Sequence, residues 1–415
     1  MSKNKIQIVF IIICWALYDL ANQFFALNVI SVYFPRWLTL EKGSPEIFYS
    51  ISFGVSMFLI ALLGPLLGTL ADLRGRQKPF LIFFTLLSIV FTCLIGLTSS
   101  VVWGLLFFIL ANLGCQLAVI FYNALLVDVA PENKVGIVSG LGRMFAYSGA
   151  VLAMALTKPI IQKWGYEGTF LVTGGCFLIF SLPALIFIKE KRPLKDFPLR
   201  SFLTKDRITQ VFQKIRMTLS AGYEFAELRD FLKVVFFGLS AINVMILFMS
   251  IYASKAFGLN ETQIIDLIVF STLFAMIGSL VSGWISDRAG YKNALVGVFG
   301  LWLFVFVGGA FAAAPFRWVI GAVAGYALGS TWVITRAWVV RMAPRENIGE
   351  IFGLFNFVSY CAGIVGPLAW GLMLILLRRC GPWQYRLSLL SLSVFIGIAF
   401  VYLLKIPSVR EKAKT

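Results

Sequence analysis

The chain has 415 residues, 60% of them hydrophobic, with a mean hydropathy of +0.89 and a formal charge of +17. Soluble domains are about 45–50% apolar, so this excess requires a lipid solvent. The chain contains no histidine, which excludes histidine metal sites, general bases and proton relays. Nor does the positive charge mark a nucleic-acid binder, because Lys and Arg fall in short segments between apolar runs of roughly 20 residues, the length that crosses a bilayer core.

Twelve such runs follow in order. The first six are Ile6–Tyr33, Ile47–Ala71, Pro79–Thr98, Val101–Val127, Ile137–Thr157 and Thr169–Ile188. The second six are Phe231–Ala253, Gln263–Ser286, Ala294–Ala313, Phe316–Val340, Ile351–Leu377 and Tyr385–Leu404. The first is longer than a signal-peptide core and lacks a small-residue cleavage site, so it reads as a retained helix. Backbone polar groups in lipid must be paired within each segment, which predicts helices throughout and an all-α membrane protein. The expected division is 1–188 and 231–415 as two six-helix halves, with 189–230 as a polar linker. Within the linker, Thr204–Leu219 reads either as an amphipathic helix on the membrane surface or as solvated chain.

With both termini on one side, that side carries 25 Lys and Arg residues and the other carries nine, while Arg143 and Arg336 lie inside spans. The bias predicts cytoplasmic termini and a cytoplasmic linker. Of the cysteines, Cys14, Cys93, Cys115, Cys176 and Cys361 lie in apolar runs and Cys380 in a loop. None has metal-ligand spacing, and they read as small buried apolar residues. No Walker loop, zinc signature or GxSxG elbow is present, so neither a cofactor nor an enzyme activity is expected.

The halves repeat one another. Gly64–Lys78 reads GPLLGTLADLRGRQK, and its Gly68, Asp72 and Gly75 recur as Gly283, Asp287 and Gly290, Asp72 and Asp287 being 215 residues apart. A second pair agrees: Ala130, Pro131, Gly136 and Gly140 match Ala343, Pro344, Gly349 and Gly353 at an offset of 213.

Twelve helices, a basic central segment and a GxxxDxxGR-type loop after spans two and eight resemble the major facilitator superfamily over the whole chain. Trp15, Tyr18, Asp19, Ala21 and Asn22 are similar to the WxxYDxAN signature of the vacuole-effluxer-like family, whose fungal members are autophagy-related amino-acid exporters. The resemblance implies two six-helix bundles, related as parallel repeats, around a cavity lined by helices one, four, seven and ten. It implies a secondary transporter that moves a small organic solute, amino-acid-like or anionic, by rocker-switch alternating access. A monomer in the cytoplasmic membrane is expected, with protons as the candidate coupling ion. A lipid or drug exporter is the alternative within transport. A non-transporting assembly factor or sensor is the alternative outside it, disfavoured by two matched gate motifs. The Gly-Pro pair that proton-coupled drug exporters carry in helix five is missing here; Gly366-Pro367 stands in helix eleven instead.

The resemblance also assigns roles. Gly68, Asp72, Gly75, Arg76, Gly283, Asp287 and Gly290 would form a cytoplasmic gate, the aspartates resting on the positive starts of helices eleven and five. Tyr291 replaces the motif arginine in the second copy. Asp19 is the carboxylate nearest the middle of a span, where charge is expensive. It reads as a proton-coupling site, a substrate-ammonium contact, or a packing residue paired with Asn22 or Arg143. Arg143 and Arg336 could each hold an anionic group in a bidentate fork or snorkel to the interface. Asn112, Gln116 and Asn123 share a helical face and, with Asn243, offer neutral polar contacts for a substrate or between helices.

Overall fold

The computed structural model of the chain describes residues 3–190 and 226–407. Most of the expected linker, including all of Thr204–Leu219, lies outside the described residues. Among those residues every regular element is helical, as internal backbone pairing in lipid demands. Eleven helical stretches among them are long and apolar enough to cross a membrane. The difference from the expected twelve lies at one glycine.

The first stretch runs from α1, Lys3–Phe25, through a π-helical segment at Ala26–Val32 into α2, Tyr33–Arg36, and a second π-helical segment at Trp37–Glu41. It therefore continues past the expected end at Tyr33. Pro35 has no N–H for the ladder and its ring crowds the preceding turn, so the helix widens around it instead of stopping. Just beyond, Lys42 lies 3.0 Å from Glu41 and donates to Glu167 at 3.1 Å. These contacts raise the Lys42 pKa above its ordinary value, the Glu41 hydrogen bond contributing most.

Next come α3, Glu46–Arg74, α4, Lys78–Ile95, α5, Val101–Ala124, the short α6, Leu126–Val129, and α7, Val135–Phe187. At 1.5 Å per residue, the 53 residues of α7 would extend about 80 Å, well beyond a bilayer core of about 30 Å. They hold two spans. Gly165, with φ 67° and ψ −165°, breaks the helix where a side chain would be strained. The sequence predicts a loop between spans five and six, and the structure corrects this: both spans run helically up to that single break.

The chain divides into two compact units, Met1–Val211 with Ala343–Leu354, and Phe212–Met342 with Phe355–Thr415. In the first unit α1 packs along α7, and α5 packs on both α3 and α4. Leu20 and Phe24 of α1 bury against Ala153 of α7. The last residues before the linker are fastened by a reciprocal cap. Glu190 accepts from the backbone N–H groups of Gln77 and Lys78 at the start of α4. Lys78 Nζ donates to the carbonyls of Ile186 and Ile188, at 3.0 and 2.7 Å. Each charge thus meets the helix end of opposite polarity.

The second unit contains α8, Ala226–Phe257, α9, Glu261–Ala289, α10, Tyr291–Phe311, α11, Arg317–Met342, α13, Gln384–Lys405, and the greater part of α12, Ile348–Leu376. Asn260 and Gln263 start α9 with a capping box. The α9–α11 contact is nearly backbone to backbone. A Cβ built on Gly325 would lie 1.9 Å from the Ser271 carbonyl oxygen, and one on Gly329 2.1 Å from that of Ala275. At another end of the unit Arg386 donates to the carbonyls of Ala310, Ala312 and Ala256, at 2.9, 3.1 and 3.0 Å. One guanidinium so satisfies orphan carbonyls at the ends of both α8 and α10.

Candidate functional site

The first loop copy is built around the end of α3. Gly75 takes φ 69°, its N–H bonds the Asp72 carbonyl, and the Arg76 N–H bonds that of Ala71, both at 3.0 Å. This is a Schellman closure, which favours a residue without Cβ. It leaves the Asp72 carboxylate, 7% exposed, facing the start of α12 within the first unit. Oδ1 accepts from the Gly349 N–H at 3.1 Å and Oδ2 from the Glu350 N–H at 2.8 Å. Gln77 Nε2 donates to Oδ1 at 2.6 Å. First-turn N–H groups have no partner within their own helix and carry its positive dipole end, so a buried carboxylate is well placed there.

The motif glycines make that approach possible. A Cβ on Gly68 would stand 2.3 Å from the Gly349 carbonyl oxygen, and one on Gly353 would stand 2.8 Å from Pro65 Cα. Arg76 is half-buried. Beside this contact Arg345 Nη2 donates to Glu132 at 3.0 Å. The two residues are separated by 213 positions, the same offset as the repeat, so equivalent positions of the two copies meet. Both are exposed, and such a pair contributes little. Gln77 and Glu350 escaped the sequence reading. Gln77 lies within the repeated stretch but matches no motif position, and Glu350 contributes through its backbone, which leaves no mark in residue type.

In the second unit Gly283 is buried and Asp287 half-buried. Tyr291, at the motif-arginine position, donates its hydroxyl to Asp287 Oδ1 at 2.9 Å. Gly290 has φ 87° and separates α9 from α10.

The WxxYDxAN face of α1 meets α5 and α7. Trp15 stacks on Tyr122 with centroids 4.6 Å apart, Nε1 donates to the Tyr122 carbonyl, and the Tyr122 hydroxyl donates to the Trp15 carbonyl. Tyr18 stacks on the same ring and shares a 2.7 Å hydrogen bond with Thr85 on α4. The two aromatic residues of the signature thus lock α1 to α5. Asp19, on the same helical face, is 5% exposed. A Cβ on Gly142 of α7 would lie 2.5 Å from the Trp15 ring and 2.9 Å from Asp19 Oδ2. Arg143, next in chain, lies 5.9 Å from the Tyr147 ring centroid.

Asn22, one turn beyond Asp19, accepts a hydrogen bond from Cys115 at 2.8 Å. Cys115 is therefore more than the inert apolar residue the sequence suggests. The expected α5 stripe is divided. Asn112 is fully buried and donates to Ser56 on α3 at 2.7 Å, Gln116 is half-buried, and Asn123 is buried near the end of α5. In the second unit Arg336 is 8% exposed on α11, and Asn243 Nδ2 on α8 lies 3.6 Å from where a Cβ of Gly363 would stand. Among the described residues no group of His, Cys, Asp and Glu could hold a metal ion.

A model of the Major Facilitator Superfamily matches residues 20–367 and 231–415. The MFS-type transporter YxiO of Bacillus subtilis is 25% identical over 410 residues, covering 93% of this chain and 94% of that one. The multi-drug resistance efflux pump PmrA of Streptococcus pneumoniae is 27% identical over 348 residues, covering 80% of each chain. Among solved structures, a bacterial homologue of the iron transporter ferroportin superposes with a TM-score of 0.74 at 15% identity, covering 96% of this chain and 99% of that one. At that identity the likeness speaks for the fold alone.

Proposed function

Because the chain belongs to the Major Facilitator Superfamily, we propose that it is a secondary active transporter moving a small organic solute across the cytoplasmic membrane by rocker-switch alternating access. The carrying observation is the Asp72 contact: a buried carboxylate on the N–H groups of Gly349 and Glu350 is a latch that can open and re-form without covalent chemistry. Asp19, Asn22 and Arg143 in one bundle, and Asn243 and Arg336 in the other, are the candidates for solute and coupling ion. Their mixed polarity suits an amino-acid-like or anionic solute, in line with the WxxYDxAN resemblance to the vacuole-effluxer-like family. Counterflow in proteoliposomes, screening amino acids and organic acids, tests this. Exchange of one of them is expected; efflux confined to bulky lipophilic cations would favour the drug-export reading that the PmrA likeness supports.

The gate reading has its own consequence. Asp72→Asn removes the charge and turns an amide toward backbone donors, a loss of roughly 1 kcal/mol at a helix start. The inward-open population should rise about fivefold, read as a longer distance between spin labels across the cytoplasmic mouth. Unchanged distance distributions would remove Asp72 from the gate.

Orientation is testable without transport. In the proposed topology the exposed Cys380 faces outward and the linker faces the cytoplasm. An impermeant maleimide applied to intact cells should label Cys380 in the native chain. A Ser201→Cys chain lacking Cys380 should be labelled only after lysis, and labelling before lysis would invert the topology.

A further inference from the structure

In the second unit a groove of about 270 Å³ lies between the start of α8 and α12. Leu232 and Phe236 of α8 face Phe357, Val358 and Cys361 of α12 across it, and Arg229 and Lys233 complete its lining. Phe357 and Cys361 of its lining belong to a longer apolar row on α12. Phe357, Cys361, Ile364, Leu368, Leu372 and Ile375 recur every three or four residues and so share one helix face. The last four are 57%, 67%, 54% and 64% exposed, an apolar stripe that only acyl chains would cover in a membrane.

Both charged residues of the lining are basic. Arg229 and Lys233 both turn to Asp230, at 3.6 and 3.3 Å, so two cations share one carboxylate. Among the described residues no hydrogen bond reaches the buried Arg229 Nε, the 3.6 Å separation being too long for one. Asp230 does not line the groove. An apolar groove lined also by an arginine and a lysine, beside an exposed apolar stripe of the same helix, matches one ligand chemistry: a phosphodiester carrying acyl tails.

We propose that this groove binds an anionic phospholipid, its phosphate on Arg229 and Lys233 and one acyl chain along Leu232, Phe236 and the α12 stripe. The transport reading enters only through the orientation, which assigns the lipid to the cytoplasmic leaflet, where anionic lipids attract basic residues.

Cys361 is the reporter. In the full-length chain, purified in detergent with the other cysteines replaced, phosphatidylglycerol should slow maleimide labelling of Cys361 about thirtyfold more than phosphatidylcholine of the same chains, as two basic contacts would produce. Arg229→Gln with Lys233→Gln should erase the difference, and glycerol phosphate without acyl chains should not protect. If that double variant does not fold, native mass spectrometry of the unaltered chain provides the same comparison, with preferential retention of phosphatidylglycerol expected. Equal protection by both lipids, protection by neither, or protection by glycerol phosphate alone would overturn the proposal. Because no solute is present, these outcomes are separate from the counterflow result.

Discussion

Gly325→Ala is expected to be among the most damaging single-methyl changes in the second unit. The added Cβ would fall 1.9 Å from the Ser271 carbonyl oxygen, a backbone atom that cannot rotate away. The obstacle recurs along the seam, with Gly321 against Leu267 and Ser271 and Gly329 against Ala275. Helices α9 and α11 must therefore part along their length rather than yield at one point. Overpacking of this kind costs about 1–3 kcal/mol, against a helix-propensity gain of roughly 1 kcal/mol for replacing glycine. The net loss should lower the melting temperature of the purified protein by on the order of 5 °C. Gly297→Ala on α10 is the control. Nothing lies within 4 Å of a Cβ there, so only the propensity gain remains and the melting temperature should hold or rise. A Gly325→Ala protein as stable as Gly297→Ala would show that the seam can open without cost.

Asp19→Asn is expected to leave a folded protein that exchanges solute but no longer concentrates it. The amide copies the protonated acid in shape, so binding and rocking survive while the proton cycle fails. With no histidine in the chain, an imidazole cannot serve as the coupling group. Asp19 is 5% exposed and lies against Gly142, the chain neighbour of Arg143, which gives the competing outcome a distinct signature. If the carboxylate serves chiefly as partner to that arginine, its loss leaves a half-buried guanidinium without that partner and costs up to about 3–5 kcal/mol, the range for a fully buried pair. The variant would then be unstable rather than uncoupled. Melting temperature, counterflow and uptake against a pH gradient separate the cases. A stable variant that still concentrates solute would exclude a coupling role.

The membrane class, the helices and the duplicated loops were legible because lipid imposes simple demands: apolar length, internal backbone pairing and positive loops on one side. Gly75 was legible for a similar reason, since a left-handed helix end leaves a glycine in the sequence. The break at Gly165 was not. Lys158, Lys163 and Glu167 made the segment look like a loop, yet the backbone stays helical through them. Asn112 was legible as a polar contact between helices, but its spacing with Gln116 and Asn123 does not say that Ser56 on another helix would receive its donor. The Gly321, Gly325 and Gly329 series was present at intervals of four, a pattern for close helix contact. Glu350 acts through its main chain, and Arg386 on carbonyls remote in sequence, so no motif could announce either.

Gln77 occupies an unusual position between two hydrogen-bonded groups. Its backbone N–H is held by Glu190, at the doorstep of the linker, and its side chain holds Asp72. A tug on the chain just beyond Glu190 is therefore borne by the same residue that steadies the Asp72 carboxylate. A change at Glu190 therefore stands only two hydrogen bonds from the Asp72 carboxylate.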